Sequence, residues 1–418
     1  MDISQGIADR HELPQGQNKT KGKNKTQKKM TYTDKHIDQY GARLQATQFD
    51  NEWHVMLHIE QRGETFAQQL RRLYAVEDMI PQLPEFRGAQ YVVKRYFLSD
   101  STNQAPLMRR ESDVALSFIQ QQPLDGSKIA VWAYMVRGAA IGTENGMVVC
   151  SQGGYTHLWQ MGMIHTEGDS GAQTEALLAD YEKRLAAFGA TLADNCVRTW
   201  FFVRDVDTQY KGLVVARRNN FAAHGLTSST HYIASTGIQG LPSETNAIVQ
   251  MAAYAIAGAW SPRQQRYLYA PTHLNRTSDY GVTFERGVCI EYGDRAHTII
   301  SGTASIDNKG SVVHPGDIVS QTHRMWQNVE ALLRESGMDY DDVMHLIVYL
   351  RDTADYATVS QMFRQRFPNI PTIIVYAPVC RPGWLIEMEC IAIASRHNPQ
   401  YAGFATSKNC HEPQNLMS

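Results

Sequence analysis

Three stretches of this chain end alike, and that recurrence constrains its fold more than any figure of composition. Val92–Asp100 reads VVKRYFLSD, Val197–Asp205 reads VRTWFFVRD and Met344–Asp352 reads MHLIVYLRD. Each is a β-branched and aromatic run closed by a polar residue and an aspartate, the pattern of a buried strand entering a turn. Ahead of each lies a segment with apolar residues at three- and four-residue steps, the period of an amphipathic helix. The first carries Phe66, Leu70, Leu73, Val76 and Ile80; the second Ala176, Leu177, Tyr181, Leu185 and Phe188. The third carries Val319, His323, Trp326, Val329 and Leu332 and stops at Gly337, a residue that favours helix ends. A further helical face follows the third strand, with Tyr356, Val359, Met362, Phe363 and Phe367.

The surroundings repeat as well. Hairpin-like pairs precede each helix at Gln48–Gln61, Gly146–Met163 and Gly287–Ser305, and extended apolar segments close each unit at Ala115–Val136, His231–Ile256 and Ile373–Ala394. Repetition of one element order implies one supersecondary unit used three times. The expected fold class is α/β, with α+β mixed sheets and helices on one face, built from three β-α-β units. The expected boundaries are a tail at 1–35, units at 36–140, 141–265 and 266–400, and a C-terminal tail at 401–418.

Composition excludes several functions. A net charge of −2 over 418 residues gives no global field for nucleic acid or an anionic membrane. No apolar run approaches the roughly 20 residues of a membrane span, and the first residues carry no apolar signal core, so a cytoplasmic location is expected. Six cysteines (Cys150, Cys196, Cys289, Cys380, Cys390, Cys410) form no CxxC pair and no zinc-finger spacing, and read as reduced thiols. Gln15–Lys29 is rich in Lys, Asn and Gln and holds no apolar side chain, so a disordered, solvated basic tail is expected. No aromatic residue interleaves its lysines as base stacking requires. The histidines His157, His165, His224, His231, His273, His297 and His345 are scattered, with no HExxH and no phosphate-binding glycine fingerprint after a strand. No metal or nucleotide cofactor is implied, and His345, within a strand run, reads as a core histidine.

The third unit resembles the Rid (YjgF-like) deaminase family. The residues that carry the resemblance are Ile300–Ala304, Gln327–Leu333, Val348–Asp352 and Ile386–Ala392. That family forms homotrimers with sites between subunits, so three Rid-like (chorismate mutase-like) units in one chain imply an internal pseudo-trimer and a monomer. Where such deaminases place a carboxylate-clamping arginine, at the start of the penultimate strand, this chain has Thr372. The span 145–397 resembles the chorismatase family more closely, through Arg276–Tyr280 with Phe284–Arg286, through Ser301–Ile306, and through Cys380–Glu389. Members of that family cleave chorismate to pyruvate and a cyclohexadiene diol or a hydroxybenzoate. The subgroup making 3-hydroxybenzoate has a cysteine seven residues before the catalytic glutamate, the spacing of Cys380 and Glu387 here. The resemblance also implies a Tyr-Arg run opening the helix of the second unit, where this chain reads Val215-Ala216-Arg217-Arg218-Asn219-Asn220-Phe221.

Chemistry narrows the candidates. Breaking an enol ether that bears two carboxylates needs cationic clamps and a proton donor. Arginine meets a carboxylate bidentately, and a buried carboxyl has its pKa raised toward neutrality. Glu387 and Glu389 alternate on one face of an apolar strand, costly unless paired or functional. Glu387 is the expected general acid, the alternative being a structural ion pair. Cys380 shapes the pocket rather than attacking, since no His partner supports a thiolate. Arg381, Arg276 and Tyr280 are candidate substrate clamps, and Arg217 is a weaker one beside Arg218. The expected partner is a small carboxylate, not nucleic acid or membrane. The competing readings are a Rid-type enamine or imine deaminase and a non-catalytic metabolite-binding protein.

Overall fold

The computed structural model describes residues 30–405, except for the side chain of Tyr280; the tail at 1–29 and residues 406–418 lie outside the described residues. The first unit runs β1 (Thr31–Ile37), β2 (Ala42–Phe49), β3 (Glu52–Ile59), α1 (Phe66–Met79), β4 (Ala89–Leu98), α2 (Ser101–Gln104), β5 (Ala115–Gln120) and β6 (Ile129–Arg137). The second runs β7 (Ala140–Glu144), β8 (Met147–Gln152), β9 (Tyr155–Ile164), α3 (Ser170–Ala186), α4 (Leu192–Asn195), β10 (Cys196–Val203), α5 (Val206–Ala223), β11 (Ala234–Gln239) and β12 (Val249–Gly258). The third runs β13 (Gln265–Leu268), β14 (Gly287–Glu291), β15 (Arg295–Ala304), α6 (Ile318–Glu335), β16 (Val343–Leu350), α7 (Tyr356–Arg366), β17 (Thr372–Tyr376) and β18 (Ile386–Ser395).

Each unit is one six-stranded sheet with the same order: β1-β2-β3-β6-β4-β5, β7-β8-β9-β12-β10-β11 and β13-β14-β15-β18-β16-β17. The pairs β4–β5, β10–β11 and β16–β17 are parallel, which requires a crossover, and a helix supplies it. In the first unit that crossover has shrunk to the short α2 and a 3-10 turn. Three of the long helices, α1, α3 and α6, start at side-chain caps. Thr65 and Gln68 form a capping box on α1, while Asp169 and Asp317 accept from Ala172 and Ser320 at 2.9 and 3.1 Å on α3 and α6.

The strands are apolar on both faces because both are covered. Along β6, Ile129, Val131, Ala133 and Met135 face the helical layer of the first unit. The alternate residues Ala130, Trp132, Tyr134 and Val136 join a core that draws on all three units. At that core Tyr134 meets Trp159 at 5.7 Å between centroids, Trp159 stacks on Tyr254 at 4.0 Å, and His345 stacks on His54 at 4.7 Å. His345 is thus a core histidine, but one held by stacking, since its Nδ1 has no hydrogen-bond partner. One edge of each sheet, at β5, β11 and β17, is met by a neighbour within the chain, through the bridges Gln120–Leu241, Ala234–Glu285, Ile238–Val379 and Pro123–Val375.

Two expected boundaries are corrected. Residues 31–35, assigned to the tail by composition, belong to β1, because pairing with β2 satisfies their backbone whatever their polarity. Residues 401–405, assigned to the C-terminal tail, pack on the body. Phe404 is buried against Tyr292 and His297, and its N–H donates to Asp294 Oδ1 at 2.7 Å. No described helix is long and apolar enough to cross a membrane. Five cysteines among the described residues are free thiols.

Candidate active site between the second and third units

The second and third units meet along β11. Its start bridges to the strand-like segment at Glu285, and its end bridges to Val379 ahead of the last turn. Glu285 N–H donates to the Ile233 carbonyl at 3.0 Å and Gln239 N–H to the Pro378 carbonyl at 3.2 Å. Arg351, in the turn after β16, grips Asp207 on α5 with two bonds of 2.9 Å each. These contacts hold α5 over the third sheet and leave a cavity of about 490 Å³ between them, a volume suited to a small metabolite.

Glu387 lies on its floor. β15 breaks register between Ile300 and Thr303, and this irregularity brings Gly302 beside the Glu387 carboxyl. A Cβ at Gly302 would collide with that carboxyl, so only glycine leaves room for it. Glu387 is 5% exposed, and burial, reinforced by the Glu389 charge, pushes its pKa up to about 8 against the pull of Arg286 and Arg198. A carboxyl in that state still carries its proton at neutral pH and can donate it.

Glu389, two residues on, has the opposite role. It accepts from Arg198 Nη2 at 2.7 Å, Arg95 Nη1 at 3.3 Å, Trp200 Nε1 at 3.0 Å and Thr236 Oγ1 at 2.5 Å. The cluster draws one arginine from each of the other two units, and Arg95 and Arg198 are 0% and 1% exposed. Glu389 is therefore held in a structural ion pair, the alternative that the sequence left open for Glu387.

The cavity is cationic. Lys211, Arg217, Arg218, Arg286 and Arg381 line it, against Glu387 and an Asp207 already paired. Arg217 is buried on α5, its Nε donating to Thr283 Oγ1 at 3.2 Å and Nη1 to Ser235 Oγ at 3.4 Å. Arg286 is buried too and donates to Asn275 Oδ1 at 3.1 Å. Arg381 lies over the Trp384 ring at 5.0 Å. Cys380 touches the cavity beside Glu387, hydrogen-bonds with the Tyr210 hydroxyl, and has its thiol pushed up to about 12 by burial and the Glu387 charge. It stays a neutral thiol. Val206, Val214, Val282, Phe284 and Ile306 supply apolar walls.

The structure brings together Glu387, Cys380, Arg381 and Arg217. It does not bring Arg276 with them: that side chain stacks on Tyr269 at 4.1 Å and lies outside the cavity lining. Tyr280 ends a 3-10 turn, and its side chain falls outside the described residues. Arg286, Tyr210, Thr236 and Gly302 were not singled out from sequence, although Arg286 closes the Phe284–Arg286 segment. The expected Tyr-Arg feature of the second helix is present in another form. Tyr210 and Arg217 are two helical turns apart, so both reach the cavity from one face of α5. The position of Thr372 also reads differently in three dimensions. By strand register its counterpart beside Glu387 is Ser235, and Thr372 lines a separate cleft. An arginine does stand at Ser235, but it arrives from α5 as Arg217.

Residues 290–394 match the family described as Endoribonuclease L-PSP. A RutC family protein of Pyrococcus abyssi is 35% identical over 95 residues, 22% of this chain and 75% of that protein. The 3-aminoacrylate deaminase RutC of Acinetobacter baylyi is 30% identical over 95 residues, with the same shares of 22% and 75%. A chorismatase crystal structure matches with a TM-score of 0.59 and 19% identity, over 74% of this chain and 95% of that one. At that identity the likeness to chorismatase is one of fold.

Proposed function

This chain belongs to the RutC family, and from that footing we propose that it is an enzyme cleaving the enolpyruvyl ether of chorismate, or of a closely related dicarboxylate, with Glu387 as general acid. The observation that carries the reading is a carboxyl kept neutral at pH 7 on the floor of a cavity ringed by arginines. Two carboxylates suit Arg217, Arg286 and Arg381, and the apolar walls suit the ring between them. Glu387 protonates the methylene carbon of the enol ether, leaving a cation on the carbon that bears the ether oxygen. Capture of that cation by water and collapse releases pyruvate and a diol. Loss of pyruvate without net uptake of water leaves a hydroxybenzoate. The Cys380–Glu387 spacing supports 3-hydroxybenzoate as the product. Incubating the protein with chorismate and following pyruvate tests the reading; no pyruvate above the uncatalysed rate would end it.

A second reading has its own support. The Acinetobacter relative is named a 3-aminoacrylate deaminase, and Arg217 at Ser235 offers a carboxylate clamp in the armed cleft. Enamine hydrolysis would use the same acid to protonate carbon. Ammonia released from 3-aminoacrylate, with no pyruvate from chorismate, would favour it.

Two substitutions separate binding from chemistry. Arg217→Met removes a buried cation that binds ground and transition states alike. Its expected effect is roughly a 10–100-fold rise in KM with kcat little changed, the worth of a charged hydrogen bond. Cys380→Ala should cost less than about tenfold in kcat, because a thiol that stays protonated is no nucleophile; abolished turnover would make Cys380 a reactive group. For assembly we propose a monomer, since one edge of each sheet is met by the next unit within the chain; light scattering that finds an obligate trimer at micromolar concentration would overturn this.

A further inference from the structure

The three units differ at the position of Glu387. In the third, Tyr349 and Leu350 pair with Glu387 and Ile386. In the first, Phe97 and Leu98 pair with Ala130 and Ile129; in the second, Phe202 and Val203 pair with Gln250 and Val249. Glu387 therefore corresponds to Ala130 and Gln250. Gln250 is committed to Ser117 Oγ at 2.9 Å, where β5 packs directly on β9 and the Leu116 carbonyl would lie 2.8 Å from a Cβ on Gly162.

The cleft between the third and first units has not closed. It keeps a cavity of about 520 Å³, with α7 and β17 on one side and the β2–β3 hairpin on the other, as α5, β11 and β14–β15 frame the armed cleft. Its Glu387 position holds Ala130, a methyl group that cannot donate a proton. Arg364 sits at the same offset from Asp352 as Arg217 does from Asp205. The other basic side chains in this cleft are committed: Arg43 to Asp34 through bonds of 3.0 and 2.6 Å, His58 to Asp125 at 2.8 Å, and His36 beside Asp38 at 3.2 Å. Arg364 donates to Ser360 Oγ at 2.6 Å and, among the described residues, has no carboxylate partner. Beside it lies an apolar wall of Phe363, Phe367, Ile373 and Pro123.

We propose that this second cleft is a binding site for a ring-bearing monocarboxylic acid that is held and not turned over. One uncommitted guanidinium takes one carboxylate, and the apolar wall takes the ring. Ala130 leaves the position of Glu387 without a proton donor, and the two carboxyls in the lining are engaged elsewhere, Glu60 by Arg62 and His36 and Asp125 by His58. The inference stands on the geometry of this cleft and does not depend on what Glu387 does.

Benzoate titrated into the full chain by calorimetry is the probe. Two sites per chain are expected. Arg364→Met should weaken one of them by at least about tenfold, the effect of losing a charged hydrogen bond, and leave chorismate turnover at the wild-type level. Thr372→Trp, which fills the same cleft from β17, should remove that site as well and guards against a local effect of Arg364 alone. Arg217→Met should act on the other site. An isotherm that neither Arg364→Met nor Thr372→Trp alters, or an absence of benzoate binding at millimolar concentration, would overturn the proposal. If those two variants act while Arg217→Met changes nothing, the second cleft stands and the reading of the first one fails.

Discussion

Glu387→Gln is expected to cut pyruvate release from chorismate by roughly 10²–10⁴-fold, the usual share of a general acid, with little loss of folded protein. The amide keeps the size of the carboxyl, and Gly302 still leaves room for it, but it has no proton to give to carbon. Stability gives a second readout. An unfolded glutamate ionises near its ordinary value, whereas the folded Glu387 holds its proton until about pH 8. Between those values the native state binds more protons than the unfolded one, so this group makes stability fall as pH rises. Glutamine does not titrate. The variant should therefore gain on the wild type through that window, by on the order of a few kcal/mol, and the gap should level off above it. A variant that loses melting temperature while keeping turnover per folded molecule would make Glu387 a structural residue.

Glu389→Gln should behave differently on both counts. It strips the counter-charge from Arg95 and Arg198, which are buried and draw on no other carboxylate at this distance. Breaking a buried pair from one side costs about 3–5 kcal/mol, so the melting temperature should fall clearly. Activity should change in a way that a packing defect would not produce. The groups facing Glu387 are Arg198 from β10, Arg286 ahead of β14, Glu389 on its own strand, the Cys380 thiol and the Tyr349 phenol of β16, the last two neutral. With the Glu389 charge gone, repulsion of the ionised Glu387 disappears and the pull of Arg198 is no longer offset. The pKa of Glu387 should drop, and the basic limb of the pH–rate profile should move down from near 8. Turnover lost at neutral pH should then return in part on acidification. A basic limb that stays in place would show that Glu389 does not set the protonation of its neighbour.

The architecture could be read from the chain because it is written in local patterns three times over. Three strand runs ending in aspartate, each after an amphipathic helix, correspond to β4, β10 and β16 behind α1, α3 and α6. The strand at 31–35 escaped notice because an edge strand such as β1 has mostly polar side chains, and its place in the sheet comes from pairing with β2, which has no period of its own in the sequence. Phe404 escaped because one apolar residue beyond a strand carries no period. Arg276 was drawn in by its motif, yet its guanidinium found the Tyr269 ring, and a motif does not reveal which ring lies nearby.

The sequence by itself determined the repeat, the mixed α/β unit and the pair of carboxylates on one strand face, since all of these follow from side-chain type and periodicity. Tertiary structure alone decided which carboxylate is ion-paired. Glu387 and Glu389 look alike along the chain, and what separates them is Arg95, 294 residues away, together with Arg198 and Trp200, all of which hydrogen-bond to Glu389. It also decided that Ser235 and Arg217, not Thr372, stand across from the acid, because the cleft forms between successive units and its second wall comes from the unit before. Electrostatic energy depends on distance through space, and sequence separation carries no information about it until the three sheets have closed around their common core.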